Sequence, residues 1–178
     1  MIPVQTIVLK DEFDIAKPIF NLENNEWINK PAKALWTSTF EENIKDISWI
    51  DWAEFNFPKI LGNYLYKLYP KESAKIYTIN TPEDYFSDEL IKFDGREGEC
   101  PRYLRNLIDY KKMKDLGYNG IHFTWQGAAL GHSFSNFDNG LFHVLNSIDV
   151  ESTVWFDTDW IDHTELITDK LLSILFDK

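Results

Sequence analysis

The chain has 178 residues, of which 44% are hydrophobic and 16% aromatic, which predicts a single domain, 1–178, around a sizeable core and excludes an intrinsically disordered chain. Its net charge of −11 argues against direct nucleic-acid binding, and no apolar run approaches the roughly 18 residues of a membrane span. The one cysteine, Cys100, excludes an internal disulfide and a cysteine-based zinc site; residues 1–5 lack a signal-peptide pattern, so the expectation is a soluble cytoplasmic protein.

The first predicted element is a strand over residues 6–10 (TIVLK), and a second strand, rich in β-branched and aromatic residues, covers 34–39 (ALWTST). Residues 48–57 predict a helix with Ser48 as its N-cap and Trp49, Trp52 and Ala53 on one face. A strand over 75–80 runs into Thr81-Pro82-Glu83-Asp84, a helix start with proline in the first turn. Residues 92–100 read as a polar loop, 102–116 as a helix stopped by Gly117, and 121–125 as a strand. Residues 126–140 predict a long loop of the kind that carries function, and 162–178 an amphipathic closing helix with Leu166, Ile167, Leu171, Leu172, Ile174 and Leu175 buried. Strands and helices without strict βαβ alternation give an α+β fold class.

The chemistry concentrates in residues 149–156, DVESTVWF. Strand alternation would place Asp149, Glu151 and Thr153 on one face, where two acids repel unless something cationic or a polarised hydroxyl lies between them. The alternative assigns Asp149 to the preceding turn and Glu151 to a solvated edge. Other common chemistries are absent from the sequence: no phosphate loop, no nucleophile elbow and no metal-ligand spacing among the four histidines. His122, between Ile121 and Phe123, reads as a satisfied, partly buried residue, and His132 as the histidine closest to a substrate.

Three segments carry a resemblance: residues 30–39 (KPAKALWTST), 48–52 (SWIDW) and 148–156 (IDVESTVWF). They resemble an uncharacterised bacterial and phage family with the pattern KPxxxxWTST, SxWIxW and WDxESTxWF, which is itself similar to the ADP-ribosyltransferase fold. That resemblance implies a split pair of small antiparallel sheets around an NAD cleft, with flanking helices and with strands 34–39 and 148–156 close together. In the poly(ADP-ribose) polymerase type, Leu35-Trp36-Thr37-Ser38 corresponds to an aromatic strand, Trp52 to a second stacking ring, and Glu151 to the catalytic glutamate.

The implied activity is mono-ADP-ribosyl transfer, with NAD as substrate and a macromolecular acceptor, a protein in the first instance. Glu151 would stabilise the positive charge that develops on the ribose, and Asp149 would orient the acceptor or Glu151. Trp36 and Trp52 would hold the nicotinamide flat in one pocket, with Thr37 and Ser38 supplying hydroxyls; for each ring, ordinary core packing is the alternative. The first strand departs from the family fold, which presents His or Arg there. Only Lys10 is in reach, to pair the pyrophosphate or simply to be solvated. The competing functional expectation is a non-catalytic acidic interaction or inhibitor protein, phage- or defence-related, on the same scaffold.

Overall fold

A computed structural model describes residues 2–14, 21–94, 106–133 and 145–176. Among them are nine strands: β1 (Gln5–Leu9), β2 (Leu35–Thr39), β3 (Tyr64–Pro70), β4 (Ile76–Ile79), β5 (Lys92–Phe93), β6 (Leu107–Ile108), β7 (Gly120–Phe123), β8 (Ser152–Trp155) and β9 (Ile161–Thr168). The helices are α1 (Ser48–Asn56), α2 (Pro82–Phe86), α3 (Tyr110–Asp115), α4 (Trp125–Ala129) and α5 (Leu171–Phe176). Seven strands form one mixed sheet in the order β4-β7-β8-β2-β1-β3-β9, and β5 and β6 make a separate ribbon. Only β4 and β7 run parallel, across a connection that contains α2 and α3; the other ladders are antiparallel. The α+β class stands. In place of a split pair of small sheets there is one seven-stranded sheet beside the two-stranded ribbon, but its middle is thin: β1 and β2 share two register pairs, against five between β1 and β3 and three between β2 and β8.

Alternation divides the core. One face carries Trp36, Ile121, Phe123 and Val154 under the rings of α2 and α3, and Val8 and Leu65 under α1 and α5. The opposite face carries Ile7, Leu35, Tyr66, Leu68 and Trp155. There Trp155 stacks on Trp160 with ring centroids 3.5 Å apart, and its Nε1–H donates to Thr37 Oγ1 at 2.7 Å. The Thr37 hydroxyl in turn donates to Gln5 Oε1 at 2.6 Å. This relay ties β8, β2 and β1 together beneath the thin joint, and Thr37, a candidate ligand hydroxyl, is already committed to it.

Local signals place several elements where the sequence predicts them. Thr81 and Asp84 close a reciprocal capping box on α2, and Gly117 ends α3 with φ at +83°, a conformation that favours glycine. Gly127 is required by close packing: a Cβ there would stand 2.0 Å from the carbonyl oxygen of Ile79, so α4 lies directly on the end of β4.

Other expectations are corrected. The segment predicted as a closing helix starts as β9, an edge strand, and is helical only from Leu171. Ile161, Thr164, Ile167 and Thr168 suit a strand, and β3 offers an edge to pair with; β3 itself, alternating in YLYKLYP, was not among the predicted strands. Leu166 and Ile174 are consequently exposed, while Leu171 and Leu175 are buried as expected. The helix predicted over 102–116 starts only at Tyr110, capped by Asp109, because Leu107 and Ile108 pair with β5; its residues 102–105 lie outside the described residues. The long loop opens as α4, capped by the Thr124 hydroxyl, and its residues 134–140, like Cys100 and the rest of 95–100, are outside the described residues.

Thr37→Val keeps the shape of the side chain but leaves the Trp155 N–H and the Gln5 carbonyl without their shared partner. Denaturant unfolding should show a loss of about 1–3 kcal/mol for each buried group left unpaired. A change below half a kcal/mol would mean that the relay contributes nothing.

Candidate functional site

β8 begins at Ser152, so Asp149 and Glu151 lie in the bend before it and strand alternation does not reach them. The two acids part. Asp149 pairs with Lys30 Nζ at 3.3 Å near the surface, whereas Glu151 is 6% exposed. The expected shared face is thereby corrected, and so is the solvated-edge alternative for Glu151.

Continuing the β2–β8 register past Thr37↔Thr153 would set Thr39 opposite Glu151. The ladder stops instead, and the Glu151 side chain stands in for the missing strand. Its carboxylate accepts the Thr39 backbone N–H at 3.2–3.3 Å and the Thr39 hydroxyl at 2.9 Å. The Ser48 hydroxyl lies 2.8 Å from both Glu151 Oε2 and the Glu151 carbonyl oxygen, sharing its one proton between them. Ser48 is the first residue of α1, with Ile47 rather than Ser48 at the cap, so the carboxylate also meets the positive end of a nine-residue helix.

His122 approaches from β7. It is the register partner of Thr153, and its Nδ1 lies 2.9 Å from Thr153 Oγ1 and 3.5 Å from Glu151 Oε1. Burial pushes the imidazole below its ordinary value of 6.5, and the Glu151 charge partly offsets that. A neutral imidazole thus sits against a buried carboxylate. Around them is a polar pocket of about 220 Å³, also lined by Thr39, Ser48, Thr124, Gln126, Glu41 and Asp46, with the half-exposed ring of Trp125 at its rim.

A larger cavity of about 360 Å³ opens on the opposite face of β2, between β1 and the segment before β8. Trp36, Thr37, Ser38 and Asp149 line it, so four of the residues singled out in the sequence meet there. Glu151 does not join them; its neighbours Val150 and Ser152 do. Trp49 rather than Trp52 contributes the second ring, and Trp52 stacks behind it at 5.1 Å. Lys10 follows β1, exposed, and lines neither space. His132, the histidine expected near a substrate, instead contacts the Ile148 carbonyl oxygen through Nε2 at 3.0 Å.

His122 is partly buried and satisfied, as the sequence predicts, here by a bond to Thr153; its nearness to Glu151, and Trp125 at the pocket rim, were not read from the sequence. Alternation did separate His122 from Ile121 and Phe123, but only the pairing of β7 with β8 turns that face toward Glu151. Compared with family models, with curated proteins and with solved structures, the chain matches none of them. Among the described residues no helix is long and apolar enough to cross a membrane.

The His122 shift has a definite sign. An imidazole whose value is lowered by folding binds its proton more readily in the unfolded chain, so its contribution to stability is present above about pH 6.5 and is lost as the pH falls below that value. Unfolding measured from pH 7.5 to 5 should therefore show wild-type stability declining below pH 6.5 more steeply than that of His122→Gln. Parallel curves would show that His122 does not titrate differently in the two states.

Proposed function

We propose that the protein is an NAD-consuming ADP-ribosyltransferase whose reacting centre is Glu151, supported by His122. One observation carries the reading: a buried carboxylate, held by the donors of Thr39 and Ser48, lies beside a partly buried neutral imidazole in a polar pocket. Functional sites are where ionisable groups are brought together in a cleft out of water, and this pair has that arrangement.

NAD supplies a glycosidic bond whose cleavage leaves positive charge on the ribose and a neutral nicotinamide. Glu151 is suited to face that charge, because its position is fixed before reaction and little reorganisation is needed. The ring of Trp125 offers a flat surface at the rim. The neutral His122 is a proton acceptor for the group that receives the ADP-ribose, with a macromolecule, a protein in the first instance, as acceptor. Glu41 and Asp46 suit the cationic pyridinium end of NAD; the pyrophosphate must lie outside the pocket, since its described lining includes no lysine or arginine.

That same lining favours a second reading, an acidic interaction protein without catalysis. Three carboxylates on one pocket, in a chain of net charge −11, form a surface for a positively charged partner.

Nicotinamide release from NAD, measured with and without cell lysate as acceptor, separates the two. The enzyme reading expects release by the wild type and a fall of about 10²–10³-fold in Glu151→Gln, the scale of losing one preorganised electrostatic group. The glutamine turns an N–H₂ toward groups that donate, so stability should drop by about 1–3 kcal/mol, and folding is confirmed by circular dichroism at the assay temperature. A folded wild type that releases no nicotinamide with any lysate overturns the enzyme reading in favour of the binder.

A further inference from the structure

We propose that the seam where β1 and β2 part is a second ligand site, which takes an uncharged, flat ring compound carrying an N–H or O–H donor. The proposal is independent of Glu151 chemistry, because this cavity and the Glu151 pocket lie on opposite faces of β2 and have no described lining residue in common.

The seam is built into the sheet. After Thr6↔Ser38, antiparallel register would pair Ile7 with Thr37 and then Val8 with Trp36, but the ladder ends and a cavity of about 360 Å³ lined by all four opens there. This lies within the size range of small-molecule sites. Two indoles, Trp36 and Trp49, and the aliphatic side chains of Val8, Ile47, Ile148 and Val150 form its walls. Such walls reward a ring and penalise strongly hydrated groups.

The hydroxyls specify the ligand further. Thr6 donates to the Tyr66 carbonyl at 2.9 Å, Ser38 to the Glu151 carbonyl at 3.4 Å and Ser152 to the Val150 carbonyl at 3.2 Å. All three hydroxyls spend their proton on a main-chain carbonyl, which leaves each oxygen to act toward a ligand as an acceptor. A ligand therefore meets acceptors and should bring a donor. Lys30 and Asp149 close on each other at 3.3 Å, so the lining presents no unpaired charge to hold a charged ligand.

Indole, uncharged and with one ring N–H, is the probe; 1-methylindole lacks the donor, and benzoate carries a charge. Calorimetry and ligand-observed NMR should show saturable 1:1 binding of indole. Affinity for 1-methylindole should be about 5–10-fold lower, the equivalent of one neutral hydrogen bond, and benzoate should be weaker still. Trp49→Ala, at a partly exposed ring, should weaken indole about tenfold or more, in line with a lost ring contact together with its buried area. Indole binding is measured without NAD, so the site stands even if nicotinamide release is never seen. Absence of saturable binding, equal binding of indole and 1-methylindole, or tighter binding of benzoate overturns the proposal whatever the fate of any variant.

Discussion

A carboxylate removed from water must be met by donors, and the placing of Glu151 follows from that requirement. Its neighbours on β2 and α1 supply them: the Thr39 main chain and hydroxyl from one side and the Ser48 hydroxyl from the other. Through these contacts the end of β2, the approach to β8 and the start of α1 are fixed against one another. The single acid thus sets where the β2–β8 ladder stops and where the helix begins. A residue with such structural duties is also immobile, which is the condition for electrostatic preorganisation. The same donors that hold the carboxylate decide which way it points.

The thin joint in the sheet has a comparable logic. Two register pairs alone would be a weak connection between halves of the sheet. On one face the Trp155–Thr37–Gln5 relay and the Trp155–Trp160 stack bridge the joint, and on the other the strands separate around a cavity. The sheet is closed on one side and open on the other. Residues adjacent in sequence consequently serve different spaces: Thr39 faces the Glu151 pocket, and Trp36 and Ser38 face the seam.

What could be read from the sequence was whatever local chemistry decides. The capping box at Thr81, the stop at Gly117, the helix opening at Ser48 and the strand character of 34–39 all depend on a few neighbouring residues, and each is found in place within a residue or two. The neighbourhood of strands 34–39 and 148–156 was likewise legible, through the resemblance. Whatever depends on a distant partner was not legible. Residues 162–168 become a strand because β3 is there to pair with, overriding a pattern equally readable as helix. The faces of Asp149 and Glu151 depend on where a ladder stops, which no window of eight residues contains. His122 acquires its acid neighbour only through the β7–β8 register.

The distances along the chain between these partners set a timetable for folding. Thr39 and Glu151 are 112 residues apart, and Thr37 and Trp155 are 118 apart. At the usual pace of synthesis, about 5–20 residues per second, β2 waits on the order of ten seconds after leaving the ribosome before β8 exists to cover it. β1 and β3 can pair in that interval, but the outer edge of β2 stays open, with the apolar Leu35 and Trp36 beside it. Long-range pairing of this kind is also slow in itself. The nascent chain therefore passes through a stage in which its central strand offers an unpaired edge until β8 arrives to cover it.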